Sequence, residues 1–227
     1  MSPPPPTYRR PAVLLAAAVG LVAVTFGVLA STAGLSFAKA MAMSVLVFTG
    51  ASQFAAVSVI DSGGSPVSAV GSALLLAARN GLYGVRLAPL IKGSLPKRAL
   101  GAHFVIDETT GMATAQDDDD DARGAFWLTG AALFAFWVSG TALGVLAGES
   151  IGDPSVYGLD AAFPASFVAL LAPQIKERPA QVSAIVGAAI AIVCVPLTPA
   201  GVPLLASVAA VGPALLVKHR LDARSES

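Results

Sequence analysis

The sequence predicts an all-α protein that is embedded in a lipid bilayer and crosses it several times. Of its 227 residues, 55% are hydrophobic and only 12% are charged, and the mean hydropathy is +0.74. A soluble domain carries roughly 25% charged residues, so this chain has too few to cover a water-facing surface of its size. Long apolar runs separated by short polar segments recur along the chain, and runs of this length indicate membrane helices.

Seven apolar runs are candidates for membrane crossings, each close to the length of about 20 residues that a helix needs to cross the hydrocarbon layer. They are residues 12–33, 38–60, 67–91, 125–147, 159–174, 180–197 and 202–217. The second run is interrupted by Gly50, Ser52 and Gln53, so it either crosses the bilayer or enters and leaves on the same face. The sequence therefore predicts six to seven transmembrane segments, with broken or re-entrant helices among them.

Basic residues predict the orientation of the chain, because loops rich in Lys and Arg tend to stay in the cytoplasm. If the second run is re-entrant, the N-terminus, the loop from Lys92 to Arg98 and the C-terminus all lie on that side. Residues 1–11 are then a disordered, Pro-rich cytoplasmic tail, residues 12–217 a single transmembrane domain, and residues 218–227 a basic cytoplasmic tail. We expect a multi-pass protein with both termini in the cytoplasm.

Several kinds of chemistry are not indicated. The formal net charge is zero, so no field of one sign favours nucleic acid. Cys194 is the only cysteine, and His103 and His219 are the only histidines, which argues against a Cys/His metal site or a catalytic triad. The Gly-rich loop that binds nucleotide phosphates is also missing from the sequence. We expect no enzymatic activity, no cofactor and no bound metal.

Polar residues in the middle of the second run predict a broken helix with a binding role. The segment contains Thr49, Gly50, Ser52 and Gln53 within an otherwise apolar stretch. A break at the glycine frees backbone N–H and C=O groups, which can then bind an ion or a zwitterion inside the membrane. The alternative is an intact helix in which Ser52 bonds to its own backbone and Gln53 reaches a neighbouring helix.

Arg79 and Tyr83 lie four residues apart in the third run and so share one face of a helix. A charged side chain within a span costs about 2.5–3.5 kcal/mol on insertion scales, so Arg79 needs an anionic partner. A guanidinium can hold a carboxylate bidentately. That carboxylate belongs either to a bound ligand or to the protein itself.

Two adjacent carboxylates, Asp107 and Glu108, lie within the short polar-centred stretch 101–115. Adjacent carboxylates in a low-dielectric setting repel each other and hold protons more readily, as a proton-coupling site requires. The alternative is that one of them is a static counter-ion of Arg79 or Arg86, or an anion at a helix start.

Two further acidic features have structural interpretations. Asp160 opens the fifth run as a helix cap, and Pro164 can kink that helix, which suggests a structural or gating role for both. The run Asp117 to Asp121 consists of consecutive like charges that repel and stay hydrated. We expect a solvated loop there and not a metal site.

Three glycines, Gly140, Gly144 and Gly148, recur every four residues in the fourth run and so lie along one helix face. Such a face lets a neighbouring backbone approach closely. We favour packing within the chain over a dimer interface.

At these same places the chain resembles the AzlC family of branched-chain amino acid permeases, over nearly all of its length after the first ten or so residues. The most specific stretch is Gly50-Ala51-Ser52-Gln53-Phe54-Ala55-Ala56. The other matching stretches are Phe26-Gly27, Arg79 with Leu82-Tyr83-Gly84, Asp107-Glu108-Thr109, and Gly158-Leu159-Asp160 with Phe163-Pro164-Ala165. The chain departs from the family at Ala77 and Asn80, where Asn and His are common, and in its run of five aspartates.

The resemblance implies a permease domain in the bacterial inner membrane that exports branched-chain amino acids, valine-like ones in particular, beside a small hydrophobic AzlD-type subunit. We expect substrate contacts from Gly50, Ser52, Gln53, Phe54, Arg79 and Tyr83, with Phe48 as a further apolar contact, and proton coupling through Asp107 and Glu108. A passive channel and a non-transporting membrane assembly subunit remain as alternatives.

Overall fold

The computed structural model describes residues 7–151 and 175–225, together with Val156, Gly158 and Val168. The regular structure of these residues is helical, without a strand, which confirms the predicted all-α class. Asp160 and Pro164, predicted as structural or gating residues, lie outside the described residues.

The helices follow one another with short connections. They are α1 (Arg9–Thr32), α2 (Phe37–Leu46), α3 (Ala51–Asp61), α4 (Pro66–Leu87), α5 (Leu95–His103), α6 (Asp107–Thr114), α7 (Asp119–Ile151), α8 (Arg178–Cys194), α9 (Val202–Ala206), a 3₁₀ turn (Ser207–Ala210) and α10 (Val211–Ser225). The first helix begins ahead of the expected boundary at residue 12, and α10 continues through the basic segment that starts at residue 218.

Three helical stretches are long and apolar enough to cross a membrane by length and composition: Arg9–Thr32, Asp119–Ser150 and Val202–Ala223. Phe37–Leu46 and Arg178–Cys194 are shorter apolar helices. Helix α4 has 22 residues but does not belong to the first group. Its polar residues Arg79 and Asn80 lower the mean hydropathy of the helix.

Helices α1 and α7 pack along most of their lengths and form the centre of the molecule. A Cβ atom on Gly144 would collide with the Val24 carbonyl oxygen, and one on Gly27 would collide with the Thr141 carbonyl oxygen. On Gly148 it would lie 2.9 Å from Cβ of Ser31. The glycine face of the fourth run therefore packs against α1 within the chain, as we favoured.

The run 38–60 is broken into two half-helices, as its polar interruption predicted. Helix α2 ends at Leu46 and α3 begins at Ala51. Between them, Phe48 has φ +40° and Gly50 has φ +49°, which turns the chain out of the helical path. A left-handed conformation is costly for a phenylalanine, so the surrounding packing must hold this break in place.

The polar-centred stretch 101–115 spans parts of two helices, because α5 ends at His103 and a new helix starts at Asp107. One local expectation was wrong. The aspartate run is not wholly a loop, since Asp119 to Asp121 form the first turn of α7. The Asp118 carboxylate accepts hydrogen bonds from the N–H groups of Asp120 and Asp121, both at 2.9 Å. The positive end of a helix stabilises such negative charges. The expectation of a loop considered only the repulsion between the aspartates.

Candidate functional site

The break between α2 and α3 leaves backbone donors without partners. The N–H groups of Gln53 and Phe54 both donate to the Gly50 carbonyl, at 2.9 and 3.1 Å. Among the described residues, no backbone carbonyl accepts from the N–H groups of residues 49–52. These donors lie at the positive end of α3, where an anionic group is stabilised.

Ser52 and Gln53, the two polar side chains in the first turn of α3, are buried on different sides of it. Ser52 is 1% exposed, and its Oγ has no hydrogen-bond partner within the described part of the chain. One and two turns further along α3, Ala56 and Val59 pack with Ala69 of α4, so Ser52 lies on the face of α3 that contacts α4. The next residue, Gln53, is turned by about 100° toward α2 and α7.

An ion pair joins α4 to α6. Arg79 Nη2 lies 2.7 Å from Asp107 Oδ2, and the two side chains are 39% and 27% exposed. Tyr83, one turn along α4, also lies beside Asp107, as its shared face with Arg79 predicted. In this conformation the carboxylate that Arg79 holds therefore belongs to the protein itself, which is one of the two alternatives that the sequence left open.

The ion pair leaves one polar atom of each partner unused. Arg79 Nε and Asp107 Oδ1 are both buried, and neither has a hydrogen-bond partner among the described residues. A buried donor or acceptor without a partner costs about 1–3 kcal/mol, and more when the group is charged. A free donor and a free acceptor of opposite charge therefore lie next to each other at one site.

The ion pair and the helix break lie at similar depth in the molecule. Helices α3 and α4 pack against each other as a hairpin closed by the turn at residues 62–65. The 11 residues of α3 span about 16 Å, and Arg79 lies about 20 Å along α4 from its first residue. Since both distances are measured from the same turn, the depth of Arg79 along the hairpin differs from that of the first residues of α3 by about one helical turn.

Aromatic rings connect the break to the start of α6. The Phe48 ring stacks on His103 with centroids 5.5 Å apart and meets Phe104 edge-on at 6.0 Å. Phe54 packs edge-on against Phe26 at 5.4 Å. Phe48 and Phe54 are only 3% and 4% exposed, so both belong to the core in this conformation. Their role as contacts for a branched side chain stays a prediction.

Thr109 holds the start of α6 in place and was missed as a positioning residue. Its hydroxyl is fully buried, donates to the Phe104 carbonyl at 2.6 Å and accepts from the Ile106 N–H at 3.1 Å. These bonds set the path of the chain directly before Asp107. Glu108 has no ion-pair partner among the described residues, in contrast to Asp107.

Ser44 and Thr141 form a second polar contact that the sequence reasoning did not single out. Their hydroxyl oxygens lie 2.7 Å apart, and the Gln53 side-chain amide reaches Ser44 Oγ at 3.4 Å. Gln53 therefore reaches a neighbouring helix, as the alternative interpretation held, although the helix is broken and not intact. The sequence contained a signal for the burial of Thr141. It lies four residues after Trp137 and so shares a helix face with it, and both side chains are buried.

Comparison with known proteins places these residues in a family. The AzlC protein family model matches residues 14–151, which include the helix break, Arg79, Asp107 and Glu108. The chain belongs to the AzlC family. The match ends where α7 ends, and the stretch from Gly158 to Ala165 lies outside the residues that it covers.

Related members of the AzlC family occur in archaea and bacteria. An uncharacterised membrane protein of Archaeoglobus fulgidus is 36% identical over 175 residues, 75% of each chain. Inner membrane protein YgaZ of Escherichia coli is 31% identical over 177 residues, 74% of this chain and 72% of YgaZ. An uncharacterised membrane protein of Helicobacter pylori strain J99 is 26% identical over 179 residues, 78% of each chain. No solved structure matches the chain.

The family and these relatives agree with the apolar helices of the structure. The chain is therefore a membrane protein related to transport.

Proposed function

We propose that the protein is a secondary active exporter of branched-chain amino acids, valine-like substrates in particular, in the bacterial inner membrane. Protons drive the export, and a small hydrophobic AzlD-like subunit works beside this chain. The observation that carries the proposal is the unused pair of atoms on the Arg79–Asp107 ion pair, Nε and Oδ1.

The charges of an amino acid complement this pair of atoms. The substrate carboxylate binds Arg79 Nε, and the free N–H groups at the start of α3 supply further donors. The substrate ammonium binds Asp107 Oδ1. Because both charges of the zwitterion replace unsatisfied interactions, the cost of removing it from water is offset at this site.

The aromatic residues around the break suit an aliphatic side chain. Phe48 and Phe54 belong to the apolar core and Tyr83 packs against it, and the substrate side chain would contact these rings once Phe48 leaves the core. The conformation described here is then a closed one, in which Phe48 packs into the core.

Proton coupling is assigned to the two adjacent carboxyl groups. Asp107 is held in an ion pair with the Arg79 guanidinium at 2.7 Å. Glu108 has no such partner among the described residues, and so it is the member of the pair that can gain and lose a proton without breaking an ion pair. The absence of a nucleotide-binding loop in the sequence agrees with energy from an ion gradient.

The proposal is tested by efflux of radiolabelled valine from preloaded membrane vesicles, with and without the small subunit, under imposed pH gradients. We expect gradient-dependent efflux that requires both subunits and that Asp107→Asn abolishes. Asp61→Asn is the matched control, because Asp61 is an exposed aspartate at the end of α3. Efflux that ignores the gradient would instead identify a passive channel. No flux of any branched-chain amino acid would contradict the substrate assignment and favour a non-transporting assembly subunit.

A further inference from the structure

A buried cluster of neutral oxygen atoms lies on the side of the helix break that faces α7. Ser44 of α2, Gln53 of α3 and Thr141 of α7 are all 0% exposed. The Ser44 and Thr141 hydroxyl oxygens are 2.7 Å apart, and the Gln53 side chain meets Ser44 at 3.4 Å. Three helices thus bring their polar side chains to one point inside an apolar core.

The hydrogen bonding of this cluster is incomplete. Gln53 Oε1 has no partner among the described residues, although the side chain is fully buried. The contact from Gln53 Nε2 to Ser44 Oγ, at 3.4 Å, is long for a hydrogen bond. Since the two ends of an amide group are interchangeable in shape, Oε1 can equally face Ser44. The cluster then presents three side-chain oxygen atoms to a common centre.

The end of α2 adds backbone oxygen atoms of the same kind. In the described part of the chain, no backbone N–H donates to the carbonyls of Ser44, Val45 or Leu46. They form the C-terminal, negative end of α2, where a cation is stabilised. Broken membrane helices bind alkali cations through such carbonyls together with hydroxyl groups.

The chemistry of these ligands selects the ion. Hydroxyl, amide and carbonyl oxygens are hard ligands without formal charge, and the cluster contains no carboxylate. Divalent cations in proteins usually require carboxylates to offset their charge. Neutral oxygens therefore suit a monovalent cation that has lost its water.

We propose that Ser44, Gln53, Thr141 and the last carbonyls of α2 form a binding site for one Na⁺ ion. This site is separate from the Arg79–Asp107 pair and goes beyond the proposed transport of amino acids. Because Gly50 and Phe48 set the angle between α2 and α3, an ion held between the two half-helices would fix the geometry of the break.

Binding is measured directly with radioactive Na⁺ on the purified protein, with its small subunit if this is required for stability. Choline replaces Na⁺ at constant ionic strength in the control samples. We expect saturable binding that unlabelled Na⁺ displaces and choline does not. Thr141→Val and Ser44→Ala, which each remove one hydroxyl with little change in shape, should weaken Na⁺ binding about tenfold or more. Thr129→Val is the matched control, a fully buried threonine of the same helix, α7, that lies outside the cluster.

A second measurement keeps the proposal testable if a variant is unstable. The melting temperature of the unmodified protein should rise with Na⁺ and not with choline, since a ligand that binds only the folded state stabilises it. Absence of saturable Na⁺ binding, or equal loss in Thr129→Val and Thr141→Val, would overturn the site. Neither readout depends on valine transport, so failure of the exporter proposal and failure of the Na⁺ site give different results.

Discussion

Arg79 Nη2 lies 2.7 Å from Asp107 Oδ2 and joins α4 to the first residue of α6. The contact uses only part of each group, because Arg79 Nε and Asp107 Oδ1 remain without partners among the described residues. This unused capacity distinguishes the pair from a purely structural counter-ion and is the basis of the first prediction.

Arg79→Lys should impair valine binding although it keeps the positive charge. A lysine ammonium can still pair with Asp107, but it lacks the planar fork that holds a second carboxylate. We expect the KM for valine efflux to rise about tenfold or more, with the amount of folded protein little changed. Arg86→Lys is the control, since Arg86 is exposed near the end of the same helix. Equal effects of both substitutions would contradict a specific role for Arg79.

Glu108→Gln should separate exchange from proton-driven efflux. An amide cannot carry a proton, so efflux should no longer respond to an imposed pH gradient. Exchange of labelled for unlabelled valine across the membrane should continue, because Asp107 and Arg79 still bind the substrate. Counterflow measured beside gradient-driven efflux in the same vesicles tests this. A variant that retains gradient-driven efflux would remove Glu108 from the coupling mechanism.

Thr109→Val should destabilise the start of α6 and lower transport together. Valine has nearly the shape of threonine but cannot donate to the Phe104 carbonyl or accept from the Ile106 N–H. The loss of this buried bonding should cost about 1–3 kcal/mol and should lower the melting temperature. Thr114→Val is the matched control, because its exposed hydroxyl bonds only to carbonyls of its own helix. Comparable melting temperatures for the two variants would show that the bonds of Thr109 do not stabilise the start of α6.

Gly50→Ala should damage transport through strain at the helix break. Gly50 has φ +49° and ψ −83°, a backbone conformation that is strained for alanine, so the segment should relax toward a different backbone path. Gly34→Ala introduces similar strain at φ +82° in a turn that has open space around it and lies away from the site. Loss of valine efflux in Gly50→Ala but not in Gly34→Ala is the expected outcome, and equal efflux from both would dismiss the break as a functional element.

Gly144→Ala should separate α1 from α7. The added methyl group would meet the Val24 carbonyl oxygen of α1, and backbone cannot move aside as a flexible side chain can. We expect a loss of stability of about 1–3 kcal/mol, seen as a lower melting temperature in detergent. Gly212→Ala in α10 has no atoms within 4 Å of the new methyl group and should be tolerated. If Gly144→Ala melted like the unmodified protein, close packing at this position would not matter for stability.

Composition and the length of the apolar runs alone determined that this protein lies in a membrane and that its fold is all-α. A chain with 12% charged residues and a mean hydropathy of +0.74 must bury its surface in lipid. In lipid the apolar runs form helices, because a helix pairs their backbone N–H and C=O groups with each other. The break near Gly50 and the shared face of Arg79 and Tyr83 were also predictable, because both depend on local chain geometry and on residues a few positions apart.

Only the tertiary structure decided which groups meet. The partner of Arg79 is 28 positions away at Asp107, and the contact between Ser44 and Thr141 joins residues 97 positions apart. The local sequence allowed more than one counter-ion for Arg79 and more than one role for Gln53, and it gave no reason to prefer one of them. Packing of α4 against α6, and of α2 against α7, selected among them, because a buried polar group is stable only beside the particular neighbours that the fold brings to it.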